Sequence, residues 1–519
     1  MDEEEDPNKV RESAKPGTEG AVEVAKMLES HTCLKFLDIS ENHINEAVAD
    51  FLATFIIKNT ALETLHIGRN HLGSNGISVI ANALMTLTGI KELEFIDTGI
   101  TSNAAASIAN FIRSNTRLES LYLGAGCFPS TKSLEISFIE KSILLEKQFA
   151  KIVRSYTGFS IRKKYNIEKI NNFLSTKKLN LPSSNKLQKE GAKAVCMALQ
   201  NIQSLERLSL ENNDLDDDSV DIISAVFTSN TSMNQLWISS NLFSPIGLSK
   251  LLKPLQMIST LEVLDLANSN LSPQVALDIA AVICSNKQIR QLWLEHSNLT
   301  DNGTVIILNV LMASMYVAVV SLRDNNITEQ SANLLYKALA QNISLEQLYL
   351  GNNNLTDVGI TQIMSSLTNS HGLNTLDLSN TNITEVSVDS IVEVITSSSQ
   401  LQQLFLGDNK LCSSGAIKIV TALQGSHTIQ VLGLSHNHIT CEAAGEISTA
   451  VSSMPYLSTL MFDGNELEVD GVCTIIEGVQ ELNWLMILSV TDNVNSEEEE
   501  EYEVLKTCFT DSTKFKLYM

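Results

Sequence analysis

The chain has 519 residues, with 36 Lys and Arg against 60 Asp and Glu, a formal net charge of −24, 44% apolar residues and only 5% aromatics. A surface that acidic repels phosphate backbones and anionic lipid headgroups, which excludes nucleic acid and membrane surfaces as bulk partners; the charge favours a basic protein partner or serves solubility alone. The eight cysteines form no C-x-x-C pair and no compact disulfide framework, the N-terminus MDEEEDPNKVRES lacks the apolar stretch of a signal peptide, and no apolar run reaches the length of a membrane span, so a reduced, cytoplasmic setting is expected.

Taken in chain order, residues 1–19 read as an acidic, irregular cap. Gly20 to Leu28 has the periodicity of a helix, with no recognisable strand before it. A repeat then occupies residues 20–129. Its pattern is L-x-x-L-x-L-x-x-N-x-L, seen as Leu34-Leu37-Ile39-Asn42-Ile44 and again as Leu62-Leu65-Ile67-Asn70-Leu72, with Ile90 and Leu118 opening further copies. From 130 to 175 the pattern lapses into an irregular segment rich in basic residues, among them Lys132, Lys147, Lys151, Arg154, Arg162, Lys163 and Lys164. Counting periods gives either one decayed copy near Phe149 and Ile152 or a helical insertion. The basic patch is a second contact site, a partner of the acidic repeats, or a solvated surface. The pattern resumes over 176–495, with starts at Leu205, Met233, Leu261, Ile289, Val317, Leu345, Leu373, Leu401, Ile429, Leu457 and Leu485, each 28 residues after the last. Residues 496–519, opening on Glu497 to Glu501, read as an acidic tail.

Each copy has two halves. Leu345 to Leu350 alternates apolar and polar residues, as a short strand does. Asn353 follows, where its amide can satisfy backbone groups at the turn. Ile360, Ile363, Met364 and Leu367 then fall at i, i+3, i+4 and i+7, one apolar helix face. A lone strand and helix cannot bury both faces, whereas stacked copies can. The expected fold is therefore an α/β solenoid, a horseshoe with a parallel sheet on the concave face and helices on the convex face.

Alternate copies differ, so the true unit is 56 residues. The residue between the second and third apolar strand positions is bulky in one set (His66, Tyr122, Trp237, Trp293, Tyr349, Phe405, Met461) and small or acidic in the other (Asp38, Glu94, Ser209, Asp265, Ser321, Asp377, Gly433). Glycine follows the bulky set, at Gly191, Gly247, Gly303, Gly359, Gly415 and Gly471, just before the helix. There it supplies a positive φ or permits close backbone approach. Alternation with buried leucines points the bulky side chains away from the core. Tyr122, Trp237, Trp293, Tyr349 and Phe405, with Asp265 and Asp377 between them and Arg323 at a strand end, form a candidate protein-binding face. Exposed aromatics interleaved with acids suit an interaction hot spot; the alternative is that the rings only cover their neighbours.

The 28-residue period with its helical second half resembles the ribonuclease-inhibitor-like class of leucine-rich repeats. That class includes ribonuclease inhibitor, Ran GTPase-activating protein, tropomodulin and the repeat region of NOD-like receptors. The resemblance implies a non-catalytic scaffold or sensor that binds a protein, similar to the NOD-like receptor repeats. The sequence has no G-x-x-x-x-G-K-[ST] phosphate loop, no H-E-x-x-H and no G-x-S-x-G, so no cofactor or metal is expected. His436 and His438 flank Asn437, a repeat position, and are not read as ligands. The alternative function is GTPase activation, as in the Ran-directed family, for which Arg69 or Arg323 would have to reach a partner's nucleotide.

Overall fold

A computed structural model of the chain describes residues 9–11, 33–123, 178–180, 188–200, 205–494 and 515–519, apart from 43, 97, 116, 119, 231, 315, 342–343, 369–371, 399, 425 and 481. The basic segment 130–175, the acidic run 497–501 and most of 1–19 lie outside the described residues. The chain divides into two compact units, residues 1–264 and 265–519.

In the first unit, three-residue strands at Phe36–Asp38, Thr64–His66, Glu92–Glu94 and Ser120–Tyr122 pair in parallel, with Leu37, Leu65, Leu93 and Leu121 in one row. Lys9–Arg11 adds a parallel strand beside Phe36–Asp38 inside the segment expected to be an irregular cap. With one apolar residue, Val10, it carries too little alternation to be read from sequence. At the other end, Lys178–Asn180, Arg207–Ser209 and Gln235–Trp237 continue the same order.

The join between these two runs bears on the irregular segment. Ser120–Tyr122 pairs directly with Lys178–Asn180, Leu121 opposite Leu179. The helix Ser102–Ser114 likewise packs directly on the helix Gln188–Leu199. The described sheet therefore has no position for the strand of a decayed copy between them, because backbone groups that such a strand would occupy are already paired.

The second unit repeats the scheme from Gln291–Trp293 through Val319–Ser321, Gln347–Tyr349, Thr375–Asp377, Gln403–Phe405, Val431–Gly433 and Thr459–Met461 to Ile487–Ser489. A further strand, Lys516–Tyr518, pairs with Ile487–Ser489. This corrects the reading of 496–519 as tail throughout: Phe515 is buried against the last copy and the strand extends the sheet. The helices lie on one face of the sheet, and Leu348, Leu350, Ile360, Ile363, Met364 and Leu367 are all buried between the layers. Burying such a side chain contributes about 1.5–3 kcal/mol, and the repeat does it in every copy.

Asparagine ties the copies together. The Asn353 amide donates to Leu322 O at 2.9 Å and Leu350 O at 2.8 Å, while its oxygen accepts from the N–H groups of Asn325 and Ile327, both at 3.0 Å. Asn70, Asn409, Asn437 and Asn465 make the same cross-copy bonds.

The double period also has a backbone cause. Most small-type copies open their helices with a 3-10 turn, as at Glu46–Val48, Glu329–Ser331, Glu385–Ser387 and Cys441–Ala443, whereas those of Glu94 and Asp265 open directly on the α-helices Ser102–Ser114 and Pro273–Ser285. The following bulky-type helix lays its glycine against that turn. A Cβ on Gly359 would stand 3.3 Å from Glu329 Cα, and one on Gly471 would stand 3.0 Å from Cys441 Cα. Of the two roles expected for these glycines, close approach is the one found at 359 and 471; the positive φ belongs three residues earlier, to Thr356 and Glu468.

Candidate functional site

The candidate site is the face of the sheet turned away from the helices, and its main group lies in the second unit. Strand alternation sends Leu292, Leu348, Leu376 and Leu404 into the core. Trp293, Tyr349, Asp377 and Phe405 therefore emerge on the opposite face. Trp293 and Tyr349 stand on strands separated by Val319–Ser321, roughly 10 Å apart at the backbone. Their ring centroids are nonetheless only 5.8 Å apart, with planes inclined at 35°. The rings lean together over Ser321, which is fully buried. Trp293 Nε1 donates to Gln291 Oε1 at 3.4 Å and the Tyr349 hydroxyl to Gln347 Oε1 at 3.1 Å, so each ring is also held along its own strand. Phe405 and Met461 close over Gly433 in the same way: a Cβ there would lie 3.2 Å from Phe405 Cδ1 and 3.3 Å from Met461 Cε.

This arrangement corrects the expected ladder of exposed aromatics and exposed acids. The rings are half-buried. Asp265 is 6% exposed and Asp377 only 1%. Large rings spaced by two strands fold over the short residues between them, and the carboxylates become floor rather than rim. Each acid turns back on its own strand, Asp265 accepting from Ala267 N at 2.8 Å and Asp377 from Ser379 N at 2.9 Å.

Arg323 does belong to the group. Its guanidinium donates to Asp377 Oδ2 at 3.1 Å, reaching past Gly351, which lies two residues beyond the strand Gln347–Tyr349. A Cβ on Gly351 would lie 2.8 Å from that same oxygen, so a side chain here would crowd the ion pair. Arg69, the other arginine considered for an activator role, is paired with Glu41.

Three carboxylates on this face were missed by the sequence reading. Glu295 is buried beside the Ser321 hydroxyl, which donates to it, and burial raises its proton affinity above the usual range despite that bond. Asp463 accepts from Ser435, Ser489, and both the N–H and hydroxyl of Thr491. Glu211, in the first unit, lies between the hydroxyls of Ser209 and Ser239, and burial raises its pKa too. All three stand two residues beyond the bulky or small position and so share its face. That parity was the available signal.

The first unit carries Trp237, with the Arg207 guanidinium 5.0 Å from the ring centroid. Tyr122 lies on the strand Ser120–Tyr122, and its side chain is outside the described residues. His66 meets Glu92 at 3.2 Å and Glu94 at 3.7 Å and packs edge-on against Phe36. Burial alone would lower the His66 pKa, but Glu92, Glu94 and Asp38 outweigh it and the pKa is raised. His438 bonds Glu466 at 2.8 Å, and no cluster of metal-ligating side chains occurs among the described residues. No helix among them is long and apolar enough to cross a membrane.

A family model described as Leucine Rich repeat matches residues 58–81 and 341–364. No curated protein matches the sequence. Among solved structures, the complex of Rad7 and Elc1 from yeast is similar at 16% identity and a TM-score of 0.43, over 71% of this chain and 96% of that one. Actin-binding site 2 of leiomodin-1 is similar at 17% identity and a TM-score of 0.26, over 28% of this chain and 86% of that one. The matched segments fall in the 28-residue frame that runs through both units, and the chain is by fold a leucine-rich-repeat solenoid.

Proposed function

We infer that the protein is a non-catalytic, cytoplasmic interaction scaffold, in the manner of NOD-like receptor repeats, and that its protein partner docks on the free sheet face of the second unit. The Trp293–Tyr349 pair carries this reading. Two half-exposed rings held by glutamines form a rigid apolar platform with polar edges, the composition enriched where protein interfaces concentrate their binding energy. Phe405 extends the platform, and Asp265, Asp377 and Arg323 lie beneath it. The acidic balance of the chain favours a basic partner.

The test is site-directed photo-crosslinking in cytosol, with the reactive group at Tyr349 or at the exposed Tyr336 of the helix Ala332–Gln341. A partner captured from 349 and not from 336, and lost on Trp293→Ala in a folded variant, is the expected result. Capture from 336 alone would place the partner on the helices and end this reading.

A further inference from the structure

The free face of the first unit changes sign along its sheet. With the central leucine of each strand in the core, the first and third residues belong to the opposite face. The strands Phe36–Asp38 and Glu92–Glu94 bring Asp38, Glu92 and Glu94 to it. The four strands from Ser120–Tyr122 to Gln235–Trp237 place Lys178 and Arg207 at neighbouring register positions, and no carboxylate at any first or third place. On a chain of net charge −24 this stretch is a local reversal.

Arg69 and Arg323 each hold a carboxylate, of Glu41 and Asp377. Arg207 differs. Among the described residues no carboxylate pairs with it, and Glu211, further along the same face, is taken up by the hydroxyls of Ser209 and Ser239. Its Nε is buried without a hydrogen-bond partner although the residue is only half-buried, so the terminal NH2 groups are the part that meets solvent. The guanidinium lies 5.0 Å from the Trp237 ring centroid. Gln235 Oε1 has no partner, so Trp237 lacks the glutamine tether of Trp293 and Tyr349, and the guanidinium is what holds its ring.

We propose that Arg207, oriented by Trp237, receives an aspartate or glutamate side chain from an acidic polypeptide. A planar guanidinium fixed on a ring, with its terminal nitrogens outward, offers two parallel N–H donors, and a carboxylate accepts both at once. A singly charged group suits one such fork, whereas a phosphate dianion meets more repulsion from the acidic chain. That repulsion is screened beyond about 8 Å at physiological ionic strength, so the local fork decides at contact. The inference goes beyond the docking face proposed for the second unit: it concerns the first unit alone, and its charge preference is the reverse.

The experiment uses the full chain and two capped glycine peptides, one with glutamate at every third position and one with glutamine in its place. Phenylglyoxal attacks the terminal guanidinium nitrogens, and its rate at each arginine is followed by peptide mass spectrometry. Without peptide, Arg207 is expected to react about three-fold faster or more than the ion-paired Arg323. The glutamate peptide should slow Arg207 by about five-fold or more and Arg69 by less than about two-fold, and the glutamine peptide should slow neither. In Trp237→Leu the half-protecting concentration should rise about three-fold. Fluorescence anisotropy of the glutamate peptide should show binding about ten-fold weaker in Arg207→Gln and partly recovered in Arg207→Lys, with folding checked by thermal melting. Lys418→Gln, an equal change of net charge at an exposed ion pair, should stay within about two-fold. Equal protection by the two peptides, protection of Arg69 as strong as that of Arg207, or labelling of Arg207 no faster than Arg323 without peptide overturns the proposal. Stronger protection by inorganic phosphate at equal concentration overturns the carboxylate as the occupant.

Discussion

The asparagine that closes each copy can be tested with numbers from the structure. In Asn353→Ala, the N–H groups of Asn325 and Ile327 lose their acceptor, and both residues are buried. An orphaned buried donor costs about 1–3 kcal/mol, so the pair costs about 2–6, and the carbonyls of Leu322 and Leu350 lose a donor as well. A local destabilisation of about 3–5 kcal/mol is expected. The protein contains its own graded control. At the equivalent place Ser297 accepts from Ser269 N at 3.2 Å and donates to Glu295 O at 2.8 Å, with a longer contact to Leu266 O at 3.4 Å. Asn353→Ser should therefore keep part of the network and cost about half as much as alanine. Native-state hydrogen exchange is the assay, because copies in a solenoid contact mainly their neighbours and the loss should centre on residues 317–353. Amides of Asn325 and Ile327 protected to within about 1 kcal/mol of wild type in the alanine variant would refute the ladder as the source of cohesion, as would a serine variant no better than alanine.

Stability should carry two opposite pH signatures. Burial would raise the Asp357 pKa, but hydrogen bonds from Thr384 and Ser387 outweigh it and the native value lies below the ordinary 3.8. Its contribution is present above that value and is lost as pH falls through the lowered one, so Asp357→Asn should flatten the acid limb of melting temperature against pH. Glu295 is shifted upward from 4.5 by burial, so the native state holds its proton longer and stability falls as pH rises through that window. Glu295→Gln should thus melt higher than wild type at pH 7 and lose that advantage below pH 4.5. Gly351→Ala, crowding Asp377, should cost about 1–3 kcal/mol in denaturant titration, while Gly407→Ala, with its nearest neighbour at 3.4 Å, should cost under about 1. Cys196 is buried, which pushes its thiol up to about 12, and it should resist alkylation at pH 8 in the native state while exposed Cys33 and Cys412 react, as read by peptide mass spectrometry.

The fold was legible because its cause is local and repeated. Leu345, Leu348, Leu350 and Asn353 recur every 28 residues, and in a parallel stack one register solves every copy at once. The terminal strands were not legible for the converse reason. Among the described residues, Lys9–Arg11 and Lys516–Tyr518 each have a copy on one side only, so little sequence pattern is needed to hold them. At the join between Leu121 and Leu179, counting periods left a decayed copy and an insertion both open, and the direct pairing leaves no place in the described sheet for the strand of the first. In the candidate site, identity and facing were readable at Trp293, Tyr349, Asp377 and Phe405. Burial was not, since it depends on how far a ring on one strand reaches across the next.

That reach explains why the period is 56 and not 28 on this face. Neighbouring strands are about 4.8 Å apart, less than the breadth of an indole or phenol ring with its van der Waals envelope. Rings on successive strands would have to stack rigidly or splay, whereas rings on alternate strands can tilt into the space above a small residue. Trp293 and Tyr349 do so over Ser321, and Phe405 and Met461 over Gly433. The small residue is then shielded from water, so an acid beneath must find an internal donor. Asp377 finds Arg323, and that choice asks for a residue without a side chain at 351, just beyond the strand between. The bulky position, the small position, the buried carboxylate and the glycine are in this sense one solution. It leaves the upper surfaces of the rings as the outermost part of the face, with fixed carboxylates just below them.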